Sequence, residues 1–319
     1  MKKTKLSLVL SGLIIASALI ITSCTKKTTT LTTTPDTSTT SSTDNSLAQQ
    51  NANDITNIGS DGIENNNGTL TNYRLSQGSI FSPLSSGVTI VFDTTQKTMM
   101  VTFNQYVGRD GHTRNGTLLY DWHLSTGGAR WFRDAGFVLN VTTPGNTYSV
   151  DNYTVEITQK TIKNTGTVNG NYTWTDVSNI TIVKPASAGT GNIQWQASWT
   201  STLLNTSNTT YNGVQYNGVY PGSGSPYTWI DWAHAILSIT GTFNGTASDG
   251  ETYTGNISVP LVLNLNCSQP LYSKYLYVAG TLNFTPTGKL TRTIDYGTGT
   301  CDLTYVVSIG SFSVTITLP

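Results

Sequence analysis

The chain has 319 residues, carries 17 Lys+Arg against 17 Asp+Glu, and is only 11% charged. A nucleic-acid partner needs a basic face, and none is visible in this sequence. The surface must instead be built from Thr, Ser, Asn and Gly, a composition that suits an exported β protein with hydroxyls and amides on its wet side.

The N-terminus opens with Lys2, Lys3 and Lys5, followed by an apolar run over 6–21. A basic start before a short apolar stretch is the pattern of a secretory signal. Spanning a bilayer takes about 20 apolar residues, and this run is shorter and interrupted by Ser7, Ser11, Gly12 and Ser17. It ends Ile21-Thr22-Ser23-Cys24, which resembles the lipobox of a bacterial lipoprotein. The expectation is that residues 1–23 are removed and that Cys24 is acylated to become the mature N-terminus. More than one acyl chain, at about 0.8 kcal/mol per buried methylene, makes a stable membrane anchor.

Residues 24–46 read as the lipidated cysteine and a Thr/Ser tether, with almost no apolar content and hence disordered. Residues 47–78 are rich in Asn, Asp and Gly and read as a poorly ordered approach, with at most a weak helical turn near 48–55. From 79 to 319 the pattern changes to short alternating apolar runs broken by Gly, Asn and Pro. Strands are predicted over 88–92, 99–103, 118–124, 137–141, 153–162, 172–183 and 193–204. Six more follow over 235–243, 253–265, 275–284, 290–295, 303–309 and 312–318. Asn169-Gly170, Asn212-Gly213, Asn217-Gly218 and Asn244-Gly245 are read as hairpin turns. The fold class is therefore all-β, an antiparallel sandwich or one strongly curved antiparallel sheet of about a dozen strands. A weak echo between 92–97 and 284–289 suggests two related halves.

Cys267 and Cys301 remain once Cys24 is assigned to the lipid, and in an oxidising compartment they make an even pair. A bridge between them closes a loop of about 34 residues, contributing about 3–4 kcal/mol on the chain-entropy model; two buried free thiols are the alternative. The stretch 204–232 has little strand pattern, and a loop that long either binds something or forms an irregular hairpin. Its Tyr216, Tyr220, Trp229 and Trp232, with Asp231 between the tryptophans and Trp122 beside Asp121, are candidate carbohydrate-binding residues; tryptophans on strands are otherwise core. Asp295 and Asp302 flank the Gly-rich turn 296–301 and are candidate Ca²⁺ ligands, against the alternative that they cap backbone amides. Asp110, His112 and Arg114 share one polar turn, where an acid/base role competes with simple turn formation. No Gly-x-Ser-x-Gly, His-Glu-x-x-His or P-loop motif occurs, so no catalytic set is assigned.

The segments 109–116 (Arg-Asp-Gly-His-Thr-Arg-Asn-Gly) and 292–302 (Arg-Thr-Ile-Asp-Tyr-Gly-Thr-Gly-Thr-Cys-Asp), together with the lipobox, resemble cell-envelope lipoproteins of Bacteroidota that have no assigned function. The resemblance implies an exported all-β domain with the late cysteine paired, and it brings no catalytic residues. Val107-Gly108 departs from it where a cysteine or acidic residue often precedes the Asp-Gly turn. The expected function is that of a lipid-anchored envelope protein with a non-catalytic β domain, structural or binding a polymer or protein. The alternative is a carbohydrate-binding or carbohydrate-active module. Thr25, Lys26 and Lys27 follow Cys24 without an acidic residue, which favours a periplasm-facing outer-membrane location over the cell surface.

Overall fold

The computed structural model describes residues 38–65, 87–108, 111–130, 132–169, 171–205, 209–211, 214–216, 235–265, 267, 277–302 and 304–317. Strand patterning dominates it. Fourteen strands form one antiparallel sheet, in which almost every strand pairs with its neighbours along the chain. The first arm contains β1 (Val88–Asp93), β2 (Thr98–Val107), β3 (Thr113–Asp121), β4 (Val138–Thr142), β5 (Ser149–Val150), β6 (Tyr153–Val168), β7 (Asn171–Val183) and β8 (Asn192–Leu203). β9 (Thr209–Tyr211) and β10 (Val214–Tyr216) pair separately as a short antiparallel ribbon, with 212 and 213 between them in the chain. The second arm runs through β11 (Ile236–Thr246), β12 (Thr252–Asn264), β13 (Tyr277–Pro286), β14 (Arg292–Thr298), β15 (Thr304–Ile309) and β16 (Phe312–Thr317). The result is one strongly curved sheet rather than a sandwich of two. The 92–97 and 284–289 segments both lie at hairpin connections, between β1 and β2 and between β13 and β14.

The alternation that predicted these strands also sets their faces. In β8, Ile193, Trp195, Ala197 and Trp199 are buried while Asn192, Gln194, Gln196 and Ser198 face water. Asn169 has φ of 52°, the left-handed conformation that a tight turn between β6 and β7 requires. Asn244-Gly245 behaves otherwise. Both residues lie inside β11, because Gly245 leaves room for the Tyr253 ring of the neighbouring strand. Asn217-Gly218 lies outside the described residues. Register shifts interrupt β2–β3, β6–β7, β11–β12, β12–β13 and β13–β14. Each bulge increases local twist and bends its strand, which is how a long sheet curls.

The sheet curls around a helix that the composition did not predict. α1 (Thr40–Asn65) occupies residues expected to be tether up to 46 and poorly ordered approach thereafter. Of its 26 residues, 17 are Asn, Asp, Ser, Thr or Gly. Against an all-alanine helix that composition costs on the order of 10 kcal/mol, so local preference alone gives no helix. Burial supplies it. Ala48, Ala52, Ile55, Ile58 and Ile63 join the main core with Trp195, Tyr120 and Phe284 of the sheet. Small residues allow close approach: a Cβ on Gly59 would lie 2.5 Å from Tyr120 Cε1, and one on Gly62 would lie 2.6 Å from Met99 Sδ.

A second, smaller core gathers Ile236, Val262, Val278, Ala279 and Cys267, with Leu204 and Cys301 against it. It is stapled by the Cys267–Cys301 disulfide, whose Cα atoms are 5.4 Å apart.

Candidate functional site

A curved antiparallel sheet offers its concave face as a binding surface, and here that face is occupied by α1. The helix has Asp44, Asp54, Asp61 and Glu64 and no lysine or arginine. The sheet meets it with Arg114, Lys184 and Arg292, so helix and cradle are complementary in charge.

Arg114 makes the central contact. It stands on the inward face of β3, with Leu118 and Tyr120 two and three strand repeats further on. Its Nε donates to Asp54 Oδ2 at 3.0 Å and its Nη2 to Asp54 Oδ1 at 2.6 Å. This fork-to-fork geometry fixes both distance and orientation. Tyr148 Oη also donates to Asp54, at 3.0 Å, and Tyr120 Oη donates to the Ile55 carbonyl at 2.8 Å. Burial pushes both phenols well above their ordinary pKa; the Asp54 charge adds to this and Arg114 opposes it. Both tyrosines are therefore neutral hydrogen-bond donors, not bases.

Near the start of the helix, Asp44 takes Lys184 Nζ at 2.9 Å on one oxygen. Its other oxygen accepts from Ser248 N–H at 2.8 Å and Ser248 Oγ at 2.6 Å. Ser41 Oγ donates to Glu251 at 2.6 Å; Glu251 also pairs with Lys289 and lies 3.8 Å from Arg292 Nη1. Arg292 Nη2 donates to the Ser38 carbonyl at 3.1 Å. Asn45 accepts from Trp195 Nε1 at 3.0 Å, and Asn53 donates to Tyr277 Oη at 2.6 Å. The partners come from β3, β8, β13, β14 and the β11–β12 turn, so the helix is gripped from both arms of the sheet.

A further buried cation lies beside this interface. Val155 and Ile157 face inward, but a register shift between Ile157 and Gln159 moves the inward face of β6 to Lys160, Ile162 and Asn164. Lys160 then donates to Asp176 at 2.6 Å and to Ser178 at 3.0 Å, and Thr56 of α1 donates to the same Asp176 at 3.3 Å. Strict alternation along β6 would have put Lys160 in water, so the sequence held no sign of this group. Arg114 did leave one: stepping back by twos from Tyr120 through Leu118 and Gly116 reaches it.

The residues singled out from the sequence fall elsewhere. Trp122 is buried, 8% exposed, in the main core and offers no ring face to a sugar. Tyr220, Trp229, Asp231 and Trp232 lie outside the described residues, and of Tyr216 only the backbone, in β10, is described. Asp295 accepts from Gly297 N–H at 2.8 Å, and Asp302 from Thr304 N–H at 2.9 Å, the capping role weighed against Ca²⁺ binding. Among the described residues, no three His, Cys, Asp or Glu side chains converge as metal ligands. His112 and Arg114 of the polar turn serve different carboxylates. Asp110 lies outside the described residues, Arg114 is buried on Asp54, and His112 Nδ1 meets Asp151 at 2.6 Å. Burial pushes the Asp151 carboxyl up, but the hydrogen bonds from His112 and Thr113 and the nearby positive charges outweigh it and hold the pKa below its usual value.

The chain matches no protein-family model, no curated protein and no solved structure.

Proposed function

We propose that this is a lipid-anchored protein of the bacterial cell envelope whose β domain is a non-catalytic scaffold or binding module. The seating of α1 carries the reading. The concave face, where a curved sheet would hold a small substrate, is filled by the protein's own chain, and Arg114 and Lys184 are committed to holding it. The grip is also well placed for an anchor. Residues 24–39 connect Cys24 to the first turn of a helix clasped by both arms of the sheet, so a pull on the lipid is borne by ion pairs shielded from water.

On this reading the membrane is the first partner, through acylated Cys24, and an envelope protein or polymer meets the outer surface of the sheet. The Thr25-Lys26-Lys27 start favours the periplasmic side of the outer membrane, and no cofactor is invoked. Palmitate labelling of the full chain in a bacterial host that processes lipoproteins tests the anchor. Label should enter the wild type and not Cys24→Ala, and only the wild type should partition into detergent. Equal partitioning of both forms refutes it. Protease shaving of intact cells then decides the side: loss of the domain means that it faces outward.

A further inference from the structure

At the turn between β1 and β2 the chain builds a small polar cleft that the α1 seat does not use. Thr95, Gln96, Lys97 and Thr98 line one side and Asp121 and His123 the other, around a volume of about 480 Å³. That lies within the roughly 300–1,000 Å³ of small-ligand sites. The cleft adjoins Met99, which packs on Gly62 near the C-terminal end of α1.

Its two walls are held by the backbone. Asp93 Oδ1 accepts from the N–H groups of Thr95 and Gln96, both at 2.9 Å. Trp122 N–H donates to the Lys97 carbonyl at 3.0 Å, tying the turn to the end of β3. Asp121 accepts from its own loop at His123 N–H, 2.9 Å. Lys97 has φ of 54°, a left-handed conformation in which glycine is favoured and a long side chain is not. A lysine is nonetheless found there.

The functional groups are arranged unevenly. His123 Nδ1 lies 2.6 Å from one oxygen of Asp121 and 2.7 Å from the other. Nδ1 therefore carries the proton, and the carboxylate faces the imidazole. Nε2, on the opposite edge of the ring, is then an acceptor and has no partner among the described residues. Neither has the Lys97 ammonium, and no carboxylate pairs with it there. The single acid of the cleft is thus engaged by the histidine, leaving a cation, an imidazole edge, an amide and two hydroxyls open to a ligand. We propose that this cleft binds a hydroxyl-bearing oxyanion, a carboxylate or phosphate whose charged oxygen meets the Lys97 ammonium and whose ligand hydroxyl donates to His123 Nε2. The Lys97 ammonium favours charged oxygen through a charge-assisted hydrogen bond, and the imidazole edge accepts from the ligand hydroxyl. The inference is independent of whether Cys24 is acylated.

The test titrates sodium phosphate, sodium glucuronate and glucose in turn into the full chain in detergent, followed by calorimetry and the ring resonances of His123. Phosphate or glucuronate should bind and move the His123 signals, and glucose should do neither. Lys97→Gly and His123→Ala should each weaken binding on the order of tenfold or more. Lys97→Gly removes the cation while relaxing the turn, so loss of binding there cannot be ascribed to unfolding. Absence of binding by both anions overturns the proposal. So does binding that survives both substitutions, or glucose binding as well as glucuronate.

Discussion

Removing the Asp54 carboxylate should be among the most damaging single changes in this protein. The Arg114 side chain is 0% exposed and that of Asp54 7%, so neither can turn to water when its partner is lost. In Asp54→Ala the guanidinium loses hydrogen bonds of 3.0 and 2.6 Å, and its long 3.5 Å contact to the His112 carbonyl is a poor substitute. Tyr148 Oη loses its 3.0 Å acceptor as well. Breaking a buried pair by deleting one partner costs about 3–5 kcal/mol, and an orphaned buried hydroxyl adds about 1 kcal/mol. For a domain of this size each kcal/mol lowers Tm by roughly 2–4 °C, so a fall on the order of 10 °C is expected by calorimetry. Asp54→Leu combined with Arg114→Met should recover most of it, because apolar replacement of a buried pair is often close to neutral. A fall of less than about 2 °C in Asp54→Ala, or a double variant no better than the single, would refute the claim that this pair holds α1 in its seat.

Gly59→Ala sets two effects against each other. Helix propensity favours alanine by about 1 kcal/mol, but its Cβ would lie 2.5 Å from Tyr120 Cε1 in a ring that is fully buried and tied to Ile55. Overpacking costs about 1–3 kcal/mol, so urea denaturation should show a net loss; a gain would mean that the ring moves freely. Lys160→Met strands the Asp176 carboxylate and should cost about 3–5 kcal/mol in the same assay, with an unchanged midpoint counting against burial of the pair. Replacing both Cys267 and Cys301 by serine should cost about 3–4 kcal/mol through the loop that the bridge closes, a sequence separation of 34. Mass mapping without reductant should find the two in one peptide pair. Asp151 titrates below its unfolded value, so its contribution is present above about pH 4 and lost as pH falls through the lowered folded pKa. Asp151→Asn should therefore flatten the acid limb of a stability–pH profile below about pH 4.

The β strands were legible because alternation is local. Ile193, Trp195, Ala197 and Trp199 declare an inward face without reference to any other part of the chain, and Asn169-Gly170 announces its own turn. Asn244-Gly245 misled because a glycine inside a strand serves its neighbour, Tyr253, and nothing nearby in sequence says so. Lys160 was invisible for a similar reason: one bulged residue changes which parity faces inward. The helix was the largest omission. Its Asn, Ser, Asp and Gly residues are those of a chain that stays unfolded alone. Distant partners such as Arg114, Lys184, Trp195 and Tyr277, scattered along the chain from β3 to β13, make it worth ordering.

From the sequence by itself come the antiparallel strands, the faces they bury and Cys267 and Cys301 as pairing partners. These follow from two-residue periodicity and composition, which act over a few neighbouring residues. Tertiary structure alone decided that the sheet closes around an acidic N-terminal helix, and that Arg114 belongs to that grip rather than to a polar turn. Buried charges are tolerated only where an opposite charge is delivered in the right geometry. That delivery depends on how the sheet bends in space, which no local pattern records.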